Sequence, residues 1–324
     1  MQKNERNRFD PIEFPHDERP VYSPFVYRDR IQSVELDAEE LAARLRKETT
    51  AEVRFDNGAR ALYATDASNY RQVPIGVVVP RNEDDVIATV ALAREFGAPI
   101  LSRGGGTSLA GQCCNVAIVI DFSKYLHNIL DMNPGEKYAW VHPGIILDDL
   151  RDAAEKHELT FGPDPATHTR CTIGGMIGNN SCGVHALMAG KTVDNIEELD
   201  ILTYDGVRMR VGATSEDELA RIIHQRDRRG DIYAGLKRIR DTYADDIRAR
   251  YPKIPRRVSG YNLDSLLEPE FNVAKALVGS ESTCVVVLRA KCKLVYSPPA
   301  RSPLVIGYPS VYEAADHVPR VLEF

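Results

Sequence analysis

The sequence is poor in several things, and each shortage excludes something. It has one tryptophan, Trp140, only 7% aromatic residues, and no apolar run approaching the roughly 18–20 residues that a membrane-spanning helix needs. The first twenty positions are interrupted by Arg, Asp, Glu and Pro, so they hold no apolar core of a secretory signal. The expected location is the cytoplasm, free or peripheral at the inner membrane. The six cysteines, Cys113, Cys114, Cys171, Cys182, Cys284 and Cys292, form no Cys-x-x-Cys pair and no repeated spacing. That argues against a zinc or iron–sulfur site in this segment and against a disulfide scaffold, leaving buried or free thiols. Charge of one sign is not in large excess: 41 Lys and Arg face 47 Asp and Glu, for a net charge of -6. Nothing therefore draws the chain to nucleic acid, and the basic run at residues 226–229 reads as solvated surface. There is no internal repeat or low-complexity segment.

What remains is an ordinary globular composition, 43% hydrophobic and 27% charged over 324 residues. That length allows two domains or one large unit with a second lobe. Residues 1–30 are polar and Pro-rich and read as an arm, with residues 36–47 a helix by the spacing of Leu36, Leu41 and Leu45. A loop is expected over residues 55–72, then a buried strand over 75–79. Asn82 with Asp85 forms a capping box for a helix ended by Gly97, and a strand follows over 99–101. Strand, helix, strand in that order predicts a partly parallel sheet with a right-handed crossover. Further strands are expected over 116–122, 138–142, 196–204 and 207–211, the last two joined by Asp205-Gly206, and a strand pair over 276–278 and 284–288. Helices are expected over 145–158, over 215–225 behind Ser215 and Glu218, and over 231–250. The fold class is α+β, a small βαβ lobe leading into a larger mixed or antiparallel sheet with helices. Trp140 reads as a core aromatic.

Two glycine-rich segments stand out. Directly after the strand at 99–101 comes Ser-Arg-Gly-Gly-Gly-Thr-Ser-Leu-Ala-Gly-Gln, residues 102–112. Three consecutive glycines permit successive N–H groups to converge on an anion; they also permit a plain flexible turn. Arg103, Thr107 and Ser108 add a cation and two hydroxyls suited to a phosphate diester. A Rossmann fingerprint fails here because Leu109 occupies a glycine position and a strand follows. A P-loop fails because Gln112-Cys113 stands where Lys-Ser/Thr is required. The second segment, residues 171–183, places Gly174 and Gly178 on one helical face and collects Asn179 and Asn180 nearby. It suits either a tight backbone contact or one wall of a long ligand site.

In order, PIGVVVPRNEDDV (74–86), SRGGGTSLAGQ (102–112), VHPG (141–144), GPDPATHTRCTIGGMIGNNSCG (162–183), VDNIEELDILTYDG (193–206) and GSESTC (279–284) resemble the FAD-binding domain of the vanillyl-alcohol oxidase and p-cresol methylhydroxylase superfamily. The likeness is to its D-lactate, glycolate and D-2-hydroxyglutarate dehydrogenase branch, especially to proteins that fuse this domain to an iron–sulfur region. The resemblance implies a two-lobed FAD-binding domain over residues 61–300, with lobes of about 61–125 and 126–300. An N-terminal arm and helix (1–60) would precede it, and the start of a truncated cap domain (301–324) would follow. By the same likeness Arg103, Gly104, Gly105, Gly106, Thr107 and Ser108 wrap the FAD pyrophosphate. Pro163, Thr172, Gly174, Gly175, Asn179, Asn180 and Gly183 line the ribityl and isoalloxazine side, and Ile196 supports the adenine end. Thr107 stands where covalent flavoproteins of the superfamily often carry His, so FAD is expected to be non-covalent.

The implied reaction is hydride transfer from C2 of a small 2-hydroxy acid to FAD, with an iron–sulfur region or quinone as electron acceptor. An oxidase using O₂ and an FAD-binding fragment without independent activity are the alternatives. No catalytic base is assigned: His142, His168 and His185 lie near the motifs and read as structural, and the paired Arg256 and Arg257 suit either a substrate carboxylate or solvent. One departure concerns the backbone. Ser282 replaces the second glycine of Gly-Ser-Glu-Gly-Thr, and a positive φ there would strain it.

Overall fold

The computed structural model describes residues 36–300 and 302–323, so the expected N-terminal arm lies outside the described residues. Residues 38–323 belong to one compact unit. In the first lobe α1 (Ala38–Glu48) is followed by β1 (Glu52–Arg54), α2 (Asn57–Leu62), β2 (Gly76–Val79), α3 (Glu83–Glu95), β3 (Ile100–Arg103) and β4 (Ile118–Asp121). The sheet runs in the order β1-β2-β4-β3. The last three strands are mutually parallel, and β1 is antiparallel to β2 through Glu52 opposite Val79. The apolar runs are continuous because both faces are covered. Val77, Val79 and Val119 pack on one side, and Ile120 meets Val86 and Val90 of α3 on the other.

Two expectations need correction here. Residues 55–72 contain α2, started by Asp56, whose carboxylate accepts from Ala59 N–H at 2.9 Å. A six-residue helix with no buried side chain has no apolar period to announce it. The capping box of α3 is half formed. Asn82 Oδ1 accepts from Asp85 N–H at 2.9 Å, but the Asp85 carboxylate, buried, accepts instead from the N–H groups of Thr50 (2.7 Å) and Arg81 (2.9 Å). Asp85 thereby ties the segment before β1 to the start of α3.

The second lobe contains β5 (Ile129–Asn133), β6 (Tyr138–Val141), α4 (Leu147–Glu155), β7 (Leu159–Thr160), α5 (Ile173–Asn179), α6 (Ala186–Ala189), β8 (Ile196–Leu202), β9 (Arg208–Val211), α7 (Glu216–His224), α8 (Arg228–Arg250), α9 (Val273–Leu277), β10 (Val286–Lys293) and β11 (Val295–Tyr296); α10 (Val311–Val321) follows. Strands β5-β6-β10-β8-β9 form an antiparallel sheet, and β7 pairs with β11. Its core joins Ala139, Leu150, Phe161, Ile173, Leu199, Tyr233 and Phe271. Residues 276–278, expected as strand, instead end α9, which Asn272 caps through Lys275 N–H at 3.0 Å; an apolar run this short does not distinguish helix from strand. Trp140 is half-buried on the sheet with the Arg210 guanidinium stacked 4.7 Å from its ring centre, rather than a core aromatic. No described helix is long and apolar enough to cross a membrane.

An ion cluster joins the lobes. Glu83, in the first turn of α3, meets Arg289 of β10, Arg208 of β9 at 2.7 Å and His142 Nε2 at 3.5 Å, and Arg208 also reaches Asp200 at 2.6 Å. Burial alone would raise the Glu83 carboxyl, but the hydrogen bonds and charges of His142, Arg289 and Arg208 outweigh it and hold it at about 2. A depressed carboxyl stabilises the fold above its unfolded value of 4.5 and loses that contribution as pH falls toward 2. Glu83→Gln should therefore cost about 2 kcal/mol at pH 7, allowing for solvent screening. Urea titrations should show the gap from wild type narrowing from pH 5 to pH 3; a gap independent of pH would contradict the assignment.

Candidate functional site

The three parallel strands end on the same side, and the first glycine-rich loop leaves β3 there, where open α/β sheets place ligands. The loop lies directly on the entrance to α5. A Cβ on Gly104 would collide with Thr172 Oγ1, and one on Gly105 with the carbonyl oxygen of Arg170. Glycine is required at these positions so that two loops from different lobes can touch. Thr172 is fixed in turn as the cap of α5, its Oγ1 accepting from Gly175 N–H at 3.3 Å.

Between these segments runs a cleft. One cavity, of about 350 Å³, is walled by Gly104 to Ser108 and by Thr172, Gly175, Asn179 and Asn180. A second shares Gly104, Ser108, Thr172 and Gly175, adds Gly174, and extends toward Gln112 and Glu281. Among the described residues, the N–H groups of Gly105, Gly106, Thr107 and Ser108 donate to no protein acceptor. Asn180 is fully buried in left-handed backbone (φ 55°); its Oδ1 accepts from Val193 N–H at 3.0 Å, while its buried Nδ2 has no partner. Free amides and an orphaned donor along one cleft suit a ligand rich in acceptors and carrying negative charge, as a dinucleotide pyrophosphate is.

Not every expected residue reaches this cleft in the expected way. The Arg103 guanidinium donates to the carbonyls of Tyr63 (3.3 Å), Thr65 (2.8 Å) and Cys113 (2.9 Å) and packs over the Tyr63 ring. It lines the second cavity, but its donors are committed to bracing the loop, which leaves the free amides to bind a ligand. Pro163 is buried outside the cleft wall, and Gly183 packs on the backbone of Asp164. Ile196 begins β8 with its side chain in the larger core. The three histidines are each held by a carboxylate: His142 by Glu83, His168 by Asp148 at 2.7 Å, and His185 by Asp164. Arg257 pairs with Asp264 at 2.6 Å, while Arg256 donates to the Cys182 thiol, at the cleft wall, at 3.2 Å.

Among the cleft residues that were not expected are Gln112 and Glu281. Gln112 belongs to the first glycine motif and Glu281 to Gly-Ser-Glu-Ser-Thr, but in those motifs only a P-loop lysine position and the replaced glycine drew notice. Burial raises the Glu281 carboxyl, partly offset by hydrogen bonds from Asn179 and Gln112. Ser282 does take left-handed backbone, at φ 61°.

Comparison with known proteins agrees with this geometry. Residues 74–212 match the family model of the FAD binding domain, and the chain carries such a domain, of the p-cresol methylhydroxylase type, with FAD as its cofactor. Its homologues include the D-2-hydroxyglutarate dehydrogenase of Pseudomonas putida, 31% identical over 81% of this chain and 27% of that protein. The glycolate oxidase subunit GlcD of Bacillus subtilis is 29% identical over 82% of this chain and 47% of its own length. The D-lactate dehydrogenase of Archaeoglobus fulgidus is 29% identical over 83% and 48%. The chain thus spans about a quarter of the first of these relatives and about half of the other two. Among solved structures an alkyldihydroxyacetonephosphate synthase shares the fold, with a TM-score of 0.57 at 18% identity over 81% of this chain and 44% of that one.

Two substitutions probe the site. Gly105→Ala should force the loops apart, costing about 1–3 kcal/mol in urea denaturation and weakening FAD binding; unchanged values for both would mean that the loops separate freely. Ser282→Gly should relieve the left-handed strain and raise stability by about 0.5–1 kcal/mol, with the m-value unchanged. A lowered urea midpoint would contradict that reading.

Proposed function

We propose that this chain is the flavin-binding part of a dehydrogenase that oxidises a small 2-hydroxy acid, of the class of D-2-hydroxyglutarate, glycolate or D-lactate. The observation that carries the reading is the meeting of two glycine-rich loops around a cleft of free amides, in a chain whose homologues are named for 2-hydroxy-acid oxidation. Bound FAD supplies the two-electron acceptor for the hydride from C2 of the acid. The residues Gly105 to Ser108 hold the pyrophosphate through their N–H groups, and Asn180 donates from its buried Nδ2. Thr107 offers no imidazole for a covalent link, so FAD is held non-covalently. Electrons leave to an iron–sulfur region or a quinone.

A second reading is a chain that binds FAD without turning over alone. It is favoured by the placement of the histidines: among the described residues none lines the cleft, so no imidazole stands there to take the substrate hydroxyl proton. One experiment separates these readings. The purified chain with FAD should show flavin absorption that acid precipitation removes completely from the protein, and anaerobic addition of one of the three acids should bleach it. Flavin bands without bleaching favour the second reading. Bleaching reversed faster by air than by a quinone favours an oxidase, and no bands with added FAD would overturn the proposal.

A further inference from the structure

The loop between α9 and β10 is docked on the C-terminal end of α5. Gly279 N–H donates to the Ile177 carbonyl at 2.8 Å and Glu281 N–H to the Gly178 carbonyl at 3.0 Å. Two consecutive residues, Glu281 (φ 50°) and Ser282 (φ 61°), take left-handed backbone without being glycine. Such backbone persists only where its surroundings enforce it. The result is a half-buried carboxyl in the wall of the cleft, across from the first glycine-rich loop.

The company of that carboxyl is neutral. Glu281 Oε1 accepts from Asn179 Nδ2 at 3.0 Å and from Gln112 Nε2 at 3.5 Å, one amide from each side of the cleft. Oε2 accepts no hydrogen bond among the described residues, and none of their Lys, Arg or His side chains forms an ion pair with Glu281. The charged or titratable groups that face this cavity from the other elements are Arg103 and the Cys113 thiol, both on the first loop; α5 contributes none. Arg103 is committed to three carbonyls. The nearby carbonyl end of α5 also disfavours negative charge. A pyrophosphate on the free amides at 105–108 would bring two further negative charges into a cleft that already holds this unpaired carboxylate.

We propose that Glu281 is a cofactor-site residue that takes up a proton as FAD enters, so the anionic cofactor is admitted against a neutral acid bridging the two glycine-rich segments. The inference rests on the cleft being the FAD site. Proton uptake makes flavin affinity fall as pH rises, by at most about tenfold per pH unit where one proton is exchanged.

Titration calorimetry of the 324-residue chain with FAD, from pH 6 to pH 8 in buffers of different ionisation enthalpy, tests it. The expected result is a dissociation constant that rises with pH, net uptake approaching one proton per FAD, and a flat profile for Glu281→Gln. An infrared difference spectrum of the wild type should gain a protonated-carboxyl band on FAD addition, whether or not the variant folds. Absence of proton uptake in the wild type, or its persistence in folded Glu281→Gln, overturns the proposal. Wild type that binds no FAD at any pH overturns the FAD-site reading as well.

Discussion

The contact between the loop after β3 and the entrance to α5 is the constraint on which the site depends. Gly104 against Thr172 and Gly105 against the Arg170 carbonyl bring two lobes within backbone contact, a distance no side chain at those positions would permit. In the same loop the N–H groups of Gly105, Gly106, Thr107 and Ser108 have no protein partner among the described residues. Packing and ligand binding are therefore one arrangement: the glycines that let the lobes touch also expose the donors. The brace behind the loop is Arg103, whose three carbonyl bonds fix a segment that would otherwise pay entropy on binding.

The lobes are held apart at the right distance by a second device. Helix α3 presents Val86 and Val90 to Ile120 on one side and to Leu202, Val286 and Leu288 on the other, a shared apolar seam between the two sheets. Its first turn adds Glu83, a carboxylate at the favourable end of the helix dipole and surrounded by Arg208, Arg289 and His142. The seam adds adhesion through apolar burial. The ion cluster sets register, because removing one member leaves its partners as uncompensated charges in a partly buried site.

Strain collects at the far wall. Glu281 and Ser282 take the backbone that glycine prefers, and the loop is kept there by hydrogen bonds to the last carbonyls of α5. Where the related motif has glycine, this chain has Ser282, and the surrounding contacts enforce its conformation all the same. Backbone strain next to a half-buried acid, beside a cleft of free amides, is a pattern found where function sets geometry against local preference.

Much of this was legible in the sequence. The continuous apolar run of β2, the Asn82 and Ser215 caps, the Asp205-Gly206 hairpin and the strand, helix, strand order all rest on periods of a few residues, and the ordered motifs carried the family and the cofactor. The elements that were missed lack such a period: α2 buries no side chain, and an apolar stretch as short as 276–278 suits either state. The site was legible as a set of residues but not as an arrangement. Whether Arg103 faces a ligand or its own loop, whether Ile196 lies at the cleft or in the core, and whether Glu281 meets Gln112 across 169 positions depends on contacts between distant segments. The sequence by itself determined the local conformations and the chemistry available; only the tertiary structure decided which of those groups share a cavity, because side chains far apart in the chain are brought together by packing and not by any spacing written along it.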